Sequence, residues 1–591
     1  MRRLWDYIRP YRRDFWLATA CLPATSAFSL TQPYILKLTI DRFISTKQAA
    51  GLGWMGLLFG AAVVGEILFL YLQYYLTMLV AQKSLADMRV EIFAHVQKLD
   101  ARFFDKNPVG RLVTRMTTDV DVINEMFAAG AMTILMDVAT LLGIVGIMLA
   151  IDWHLALVSL ALLPVMLLAI NFFRTRARIS YRLIRERIAR INAYLQEAIS
   201  GMTIIQLFAR EAQAFREFEE YNDAHRQANH WSNIYEAALF SLVEGISSIS
   251  FALIVWYGGR RILGGALAFG TLVAFIEYVQ KFFVPIRDFS SKYAVMQSAM
   301  SAAERVFQLL DTPPAITSPE HPRVPEPKRG RIEFDHVWFA YKGEDFILQD
   351  VSFVVEPAEK VAIVGATGAG KTTIIKLLNR FYDVQRGRVL VDGVDVREWD
   401  LNALRRHIGA VSQDVFLFSG TIAENIRLDR TDVSADTVRH AATTVNAHRF
   451  IERLPEAYDD RLRERGSNLS TGQRQLLAFA RALAYDPTIL VLDEATSSID
   501  TETEILIQDA LAKLMANRTS VIIAHRLSTI ENADRIIVMH HGQVRESGTH
   551  RELLAMGGLY ARLHTLQTRG ALAEMPHAEQ SPVSTADARK A

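Results

Sequence analysis

The stretch 155–172, LALVSLALLPVMLLAINF, contains no charged residue. A helix that crosses the hydrocarbon layer of a membrane needs about 20 mostly apolar residues, and this run is too long for a typical buried helix of a soluble protein. The neighbouring run 128–151 is nearly as apolar. The two segments, 128–151 and 154–173, therefore predict two membrane helices that are joined by a short polar connection at Asp152, Trp153 and His154.

Other apolar segments in the first half of the chain are weaker candidates for membrane helices. They are 15–40, 54–81, 237–258 and 266–286. Together with the two clear runs they predict an all-α transmembrane domain of six helices. Pro23, Pro33 and Pro164 are expected to bend the helices that contain them, which membrane helices tolerate.

Basic residues predict the orientation of this domain. Seven Lys or Arg lie in 81–125 and ten in 174–235, whereas 152–154 has none and 258–266 has only Arg260 and Arg261. Since Lys and Arg concentrate on the cytoplasmic side, the long polar segments and both termini are expected there. These segments have helical periodicity, so the membrane helices are expected to continue into the cytoplasm. The basic, aromatic N-terminus predicts a helix in the membrane interface, with a frayed terminus as the alternative.

Composition argues against several classes of protein. A net charge of +1 gives no electrostatic reason to expect a nucleic-acid partner. A single cysteine, Cys21, excludes an intrachain disulfide, and the sequence has no Cys/His cluster that would suggest zinc. A mean hydropathy of +0.13 is intermediate between soluble and membrane proteins, which suits a chain with one domain of each kind.

A proline-rich segment, 311–330, holds six of the 17 prolines and predicts a semi-rigid linker. Short apolar β runs alternate with helical segments beyond it, the pattern of an α/β domain. The predicted organisation is a transmembrane domain at 1–310, a linker at 311–330, an α/β domain at 331–567 and a disordered tail at 568–591.

The sequence GATGAGKTT at 365–373 fits the P-loop pattern G-x-x-x-x-G-K-[ST]. It follows the strand KVAIVG and opens the helix TTIIKLLNRF, which is the context that the motif requires. Backbone N–H groups of such a loop converge on phosphates, and the helix N-terminus adds positive potential. The expected ligands of ATP are Gly365, Ala366, Thr367, Gly368, Ala369, Gly370, Lys371, Thr372 and Thr373. Among them Lys371 would contact the β/γ-phosphates and Thr372 the Mg²⁺ ion.

The sequence ILVLDEAT at 489–496 predicts a buried strand that ends in two acids. Asp493 stands where a Mg²⁺-linked carboxylate belongs, and Glu494 can polarise the attacking water. The alternative is a solvated strand end that merely happens to be acidic.

A third segment, LSTGQRQLLAFARAL, begins at Leu469, twenty residues before the acidic strand. Together with the P-loop it resembles the ATP-binding cassette (ABC) family, and the order of motifs along most of the chain is that of exporter-type half-transporters, similar to bacterial multidrug and lipid exporters. The resemblance implies an α/β P-loop NTPase cassette domain with ATPase activity. It further implies that Tyr341 stacks on adenine, that Gln413 reaches the metal, and that His525 contacts the γ-phosphate.

The family resemblance also implies a head-to-tail dimer of two half-transporters. ATP would lie between the P-loop of one chain and Ser470, Gly472 and Gln473 of the other. The usual family sequence is LSGGQ, and Thr471 replaces its first glycine here. This replacement resembles one partner of heterodimeric exporters and also occurs in homodimers, so both assemblies stay open.

The resulting hypothesis is ATP-driven export of a small or amphipathic molecule of the drug, lipid or peptide class. Transport would use alternating access across the cytoplasmic membrane, with the ATP-binding domain in the cytoplasm. Segments 103–123 and 204–222 resemble the loops that transmit motion to the membrane domain, expected to dock near Gln413. Acids in or near the spans, namely Glu66, Asp137, Glu244 and Glu277, are candidates for substrate contacts or for ordinary pairing. The rivals are an ATP-gated regulator or channel and, far less favoured, a soluble cassette ATPase.

Overall fold

A computed structural model describes residues 2–127, 131–428, 430, 432–493, 501–524 and 527–573. The chain divides into two compact units. The first comprises Met1–Gln97 and Val109–Thr312, and the second comprises Lys98–Pro108 and Pro313–Ala591. A short segment from the first half of the sequence thus clusters with the second unit.

Helices build the first half of the chain. In chain order they are α1 (Arg2–Ile8), α2 (Arg12–Thr39), α3 (Leu52–Val96), α4 (Ala101–Lys106), α5 (Val109–Met116), α6 (Thr118–Glu125), α7 (Ala131–Ile151), α8 (Trp153–Leu160), α9 (Leu163–Ser200), α10 (Met202–Leu207), α11 (Glu211–Leu263) and α12 (Phe269–Leu310). The long helices α3, α9, α11 and α12 continue unbroken from apolar into polar sequence, as the periodicity predicted.

Five stretches within the described residues are long and apolar enough to cross a membrane. They are Leu52–Val96, Met132–Ile151, Trp153–Phe173, Glu211–Leu263 and Phe269–Leu310. Helix α2, which contains Pro23 and Pro33, is not among them, so a sixth span remains a prediction. The third stretch has a break between α8 and α9, where Pro164 opens α9, because proline lacks the N–H group that a helix interior requires.

An ion pair joins two short polar connections of the first unit. The Asp152 carboxylate caps α8 by accepting a bond from Leu155 N at 2.9 Å, and it pairs with Arg261 at 2.6 Å. A buried core lies beside it and is built mainly from α12, with Phe275 and Tyr278 fully enclosed. This bond joins the two connections that the sequence predicts to be short.

The second unit carries the strands. They are β1 (Ile332–Ala340), β2 (Phe346–Val355), β3 (Lys360–Gly365), β4 (Arg386–Val391), β5 (Val394–Asp395), β6 (Ile408–Val411), β7 (Gly420–Thr421), β8 (Arg461–Leu462), β9 (Ile489–Asp493), β10 (Thr519–Ile523), β11 (Arg535–His540) and β12 (Gln543–Gly548). Its helices besides α4 are α13 (Lys371–Leu378), α14 (Leu401–His407), α15 (Ile422–Arg427), α16 (Ala435–Thr444), α17 (His448–Ile451), α18 (Thr471–Ala484), α19 (Thr501–Leu514), α20 (Leu527–Glu531), α21 (His550–Met556) and α22 (Leu559–Ala573).

A six-stranded sheet with the order β12-β11-β3-β10-β9-β6 organises this unit. Strands β11, β3, β10, β9 and β6 are parallel, and β12 is antiparallel. Side chains alternate between two cores: Val361 and Ile363 face one, while Ala362 and Val364 face the other. A strand that is buried on both faces must be apolar throughout, which is the pattern of β3 and β9.

The strand register brings the C-terminal ends of β3, β9 and β10 to one edge of this sheet. Ile523, the last residue of β10, pairs with both Ile363 of β3 and Asp493 of β9. Ligands of parallel α/β sheets bind at the carboxyl ends of the strands. The smaller antiparallel sheet, β2-β1-β4-β5, lies beyond the β3 core and carries Tyr341 just after β1.

Candidate functional site

The loop between β3 and α13 can be built only with glycine at two of its positions. Gly365 has a φ of +152°, and a Cβ there would lie 2.2 Å from the Met539 carbonyl oxygen. Gly370 has a φ of +97°, and its Cβ would lie 2.6 Å from Leu348 Cδ2. The exposed tip of the loop is formed by Ala366, Thr367 and Gly368. The result is a turn that leads directly into the N-terminus of α13, which favours an anion.

Lys371, the first residue of α13, is only 8% exposed. Its Nζ donates to the carbonyl oxygens of Gly365 at 2.8 Å and Ala366 at 3.2 Å, so the side chain curls back over the loop. Burial lowers the pKa of the Lys371 ammonium, and the Asp493 carboxylate opposes that shift. An ammonium group held over a phosphate-sized turn is suited to an anionic ligand.

Thr372 and Asp493, which are 121 residues apart, meet at the edge of the sheet. Thr372 Oγ1 donates to Asp493 Oδ2 at 3.3 Å. A hydroxyl and a carboxylate oxygen in this position are the hard donors that Mg²⁺ prefers. The residues present therefore fit a magnesium–nucleotide ligand.

Tyr341 stands beside the start of α13. Its hydroxyl lies 3.2 Å from Thr373 Oγ1, and Lys376 Nζ lies 5.4 Å from the centre of its ring. The edge of the ring packs against Phe339 and Tyr382. The structure thus places an aromatic ring next to the P-loop helix, where a base could stack.

Gln413 lies in the loop after β6, at a cavity of about 520 Å³. Asp493 lines the same cavity, as do Arg465, Thr471 and Arg474. Two residues that were expected to approach the metal, Gln413 and Asp493, therefore share one space, and Thr372 joins them through its bond to Asp493.

The segment that begins at Leu469 forms the N-terminus of α18. Ser470 is the cap: its Oγ accepts from Gln473 N at 3.2 Å, and its own N–H donates to Gln473 Oε1 at 2.9 Å. This reciprocal capping box leaves other N–H groups at the helix start for an external acceptor. Thr471 Oγ1 accepts from Arg474 Nη2 at 3.1 Å, so its side chain has an intramolecular partner.

Gly472 has a reason within the chain to be glycine. A Cβ at this position would lie 2.2 Å from Thr503 Cγ2 of α19. The sequence motif suggested only a nucleotide contact for Gly472. Close packing of α18 on α19 is a second role that the sequence pattern did not reveal.

Two predicted catalytic residues, Glu494 and His525, lie outside the described residues. Glu494 follows Asp493 directly, and His525 follows the last residue of β10 by two positions. Their roles remain predictions from sequence.

The acids of the membrane unit have different surroundings. The Glu66 carboxylate accepts a bond from Gln32, and Asp137 pairs with Lys292 at 2.5 Å. Glu244 has no hydrogen bond or ion pair to any residue that the structure describes. It lines a cavity of about 400 Å³ between α11 and α12, together with Ser247, Ser248, Gln280, Phe251 and Phe283. Glu277 is half-buried and outside that lining.

One contact of the second unit was not foreseen. The Tyr382 hydroxyl donates to Asp105 of α4, and Ala101 at the start of α4 packs against the β3 core. Tyr382 is 3% exposed. Its burial is the larger cause that raises the pKa of the phenol, and the hydrogen bond to Asp105 raises it further. The two residues are 277 positions apart, and no local pattern links them. The predicted contact of this loop with Gln413 stays a prediction.

Comparison with known families gives matches to both halves of the chain. The profile described as ABC transporter transmembrane region matches residues 15–286, and the one described as ABC transporter matches residues 348–497.

Curated bacterial proteins resemble the chain over most of its length. An uncharacterised ABC transporter ATP-binding protein of Bacillus subtilis is 38% identical, covering 96% of this chain and 94% of the relative. A probable multidrug resistance ABC transporter ATP-binding/permease protein of the same organism is 39% identical, covering 86% and 76%. An ATP-dependent lipid A-core flippase of Syntrophus aciditrophicus is 35% identical, covering 96% and 94%.

Proposed function

This chain belongs to the ABC transporter family, and on that premise we propose that it exports an amphipathic molecule of the drug or lipid class by alternating access. The chain is a multi-pass membrane protein with a cytoplasmic ATP-binding domain and ATPase activity coupled to transport. The observation that carries the proposal is the meeting of Lys371, Thr372 and Asp493 at one edge of the sheet. The names of relatives as multidrug and lipid transporters support the substrate class.

Each residue of the nucleotide site receives a proposed role from its place in the motifs of the family. Lys371 would hold the β/γ-phosphates, and the remaining loop residues would donate backbone N–H groups. Thr372, Asp493 and Gln413 would hold Mg²⁺, which neutralises phosphate charge when bound. Tyr341 would stack on adenine, Glu494 would polarise the attacking water, and His525 would contact the γ-phosphate.

The signature residues Ser470, Gly472 and Gln473 would complete the site of a second half-transporter. The free N–H groups at the start of α18 support this role, because they favour a phosphate. The partner is either a second copy of this chain or a different half-transporter. Thr471 is compatible with both, since its hydroxyl is engaged by Arg474.

The cavity between α11 and α12 supports a cationic amphipathic substrate. A carboxylate within a membrane span is costly and tends to be functional, and Glu244 has no described partner that would neutralise it. Phe251 and Phe283 add apolar surface to the same space. A molecule with an organic cation beside an apolar body would complement both features.

Reconstitution into proteoliposomes tests the proposed function. Cationic amphiphiles are expected to stimulate ATP hydrolysis and to accumulate against their gradient in vesicles whose ATP-binding domains face outward. Movement that only dissipates a gradient, with no accumulation, would instead favour the ATP-gated channel. No ATP-dependent movement of any tested drug or lipid would overturn the exporter.

A further inference from the structure

Three side chains of the kinds that can ligate a metal meet near the C-terminal end of the second unit. Glu531 ends α20, His550 begins α21, and His564 lies in α22. One ligand atom from each lies within 4.8 Å of the others. The three residues come from separate segments, which is why the sequence showed no metal-binding cluster.

The contacts within this cluster leave nitrogen and oxygen atoms facing one another. His564 Nε2 lies 3.4 Å from Glu531 Oε1. The rings of His550 and His564 are 5.5 Å apart between their centres. Glu531 is exposed, and both histidines are partly buried, so an ion could enter from solvent.

One ring nitrogen of His550, Nδ1, has a hydrogen-bond partner. It lies 2.6 Å from the hydroxyl of Tyr560, which is 2% exposed. Metal-binding histidines usually bond their other ring nitrogen to a fixed partner, which sets the tautomer and the ring orientation. If His550 Nδ1–H donates to Tyr560, then Nε2 keeps the lone pair that a metal requires.

We propose that Glu531, His550 and His564 form a binding site for a divalent transition-metal ion, with Zn²⁺ as the first candidate. Two imidazole nitrogens and one carboxylate oxygen suit zinc and its neighbours. Mg²⁺ and Ca²⁺ prefer oxygen donors throughout. A bound ion would tie α22 to α20 and α21.

The site has a consequence for turnover, which rests on the proposed role of His525. Helix α20 begins two residues after His525, and Glu531 is its last residue. An ion held by Glu531 would restrain the helix that follows this histidine. The effect on ATPase is a separate measurement from metal binding.

The chain contains a matched control. His448 has Nδ1 at 2.9 Å from the Tyr458 hydroxyl and Nε2 at 2.9 Å from Glu452 Oε1. It therefore has the same kinds of neighbours as the proposed site, except for a second histidine. Within the described part of the chain, His448 belongs to no group of three such ligands.

The test is a Zn²⁺ titration of the full chain in detergent without nucleotide, after purification through a histidine-free tag and removal of metals with a chelator. Calorimetry is expected to show one saturable ion per chain. His564→Gln and Glu531→Gln are each expected to weaken binding by about a hundredfold, and Tyr560→Phe by about tenfold. His448→Gln is expected to leave binding unchanged. Co²⁺ in place of Zn²⁺ would report the ligand geometry by its visible absorption.

Two results would overturn the site. One is the absence of a saturable ion on the wild-type chain. The other is equal Zn²⁺ affinity in wild type, His448→Gln and Glu531→Gln. Because Glu531 is exposed, its variant tests the site without disturbing the core, and because no ATP is present, a failure of the transport proposal does not affect the result.

Discussion

At the scale of single residues, the proposed nucleotide site contains a buried ammonium group. Lys371 is held by two carbonyl oxygens of its own loop, and burial lowers its pKa, against the attraction of Asp493. A phosphate would meet a cation whose position is already fixed. Positioning of charge before the reaction is the main source of catalysis in phosphoryl transfer.

Replacement of this cation is therefore expected to abolish most turnover. Lys371→Met keeps an unbranched side chain of similar length and removes its charge, and ATPase activity is expected to fall by about 100- to 1000-fold. Lys513→Met is the control, because Lys513 is on an exposed helix face and pairs with Asp509. Steady-state hydrolysis by the two purified variants checks the prediction. Equal ATPase activity of the two variants would contradict the proposed role of Lys371 in holding phosphate.

Glu244 is expected to determine preference for charge. In Glu244→Gln, the concentration of an organic cation that half-stimulates ATPase should rise about tenfold, equivalent to about 1.4 kcal/mol. Stimulation by a neutral amphiphile of similar size should not change. Glu277→Gln, outside the cavity, is the control. An equal loss for cation and neutral compound would show that Glu244 has a structural role instead.

Residues joined by local spacing could be predicted from sequence, and residues joined only by the fold could not. The glycine spacing predicted the P-loop, and a run of apolar residues that ends in an acid predicted Asp493. No such signal connects Asp105 with Tyr382, or Glu531 with His550 and His564. Their proximity depends on how distant segments pack, which composition and periodicity do not encode.

At the scale of elements, the start of α18 stabilises the fold and is also proposed to bind the nucleotide of the partner. Its capping box stabilises the helix start, and each cap of this kind contributes about 1 kcal/mol. Its Gly472 allows α19 to approach closely. The same glycine is proposed to approach the partner's nucleotide.

Variants at Gly472 can separate its packing against α19 from its proposed contact with nucleotide. Gly472→Ala places a Cβ 2.2 Å from Thr503 Cγ2 and is expected to cost about 1–3 kcal/mol, which lowers the melting temperature by about 2–4 °C per kcal/mol. Adding Thr503→Ser removes that methyl group and should restore the melting temperature. ATPase should stay low in the double variant. Recovery of both properties would show that Gly472 serves packing alone.

Helix α4 comes from the first half of the sequence and clusters with the second unit. Asp105→Ala leaves the buried Tyr382 hydroxyl without its acceptor, a cost of about 1–3 kcal/mol. We expect the number of molecules transported per ATP to fall severalfold, while hydrolysis without substrate continues. Lys106→Ala, an exposed neighbour, is the control. An unchanged transport ratio in Asp105→Ala would contradict a coupling role for α4.

Strongly apolar helices were easier to predict from sequence than helices that mix apolar and polar residues. The runs 128–151 and 154–173 are unusually apolar and correspond to α7 and to α8 with α9. Pro164 was expected to bend its helix, and the structure has a full break at 161–162, just before this proline. Helix α2 falls short as a candidate span because its apolar residues are mixed with polar ones.

At the scale of the whole molecule, one chain holds only part of each proposed site. The P-loop edge supplies Lys371, Thr372 and Asp493, and the N–H groups at the start of α18 are proposed to serve the nucleotide of the partner. Two cassettes in head-to-tail arrangement would complete two sites. Because ATP would bind the closed pair more tightly than the open pair, its binding would shift the equilibrium towards closure, and long helices such as α11 would pass that motion into the bilayer.

The most direct test uses Glu494→Gln, purified from its native membrane with any partner chain that accompanies it. Removal of the carboxylate should block hydrolysis and leave ATP binding intact. Electron cryo-microscopy with and without ATP is expected to show two cassettes apart without nucleotide and closed with it, each nucleotide lying between Lys371 of one cassette and the signature helix of the other. ATP bound at the P-loops of cassettes that remain apart in every particle would contradict the account.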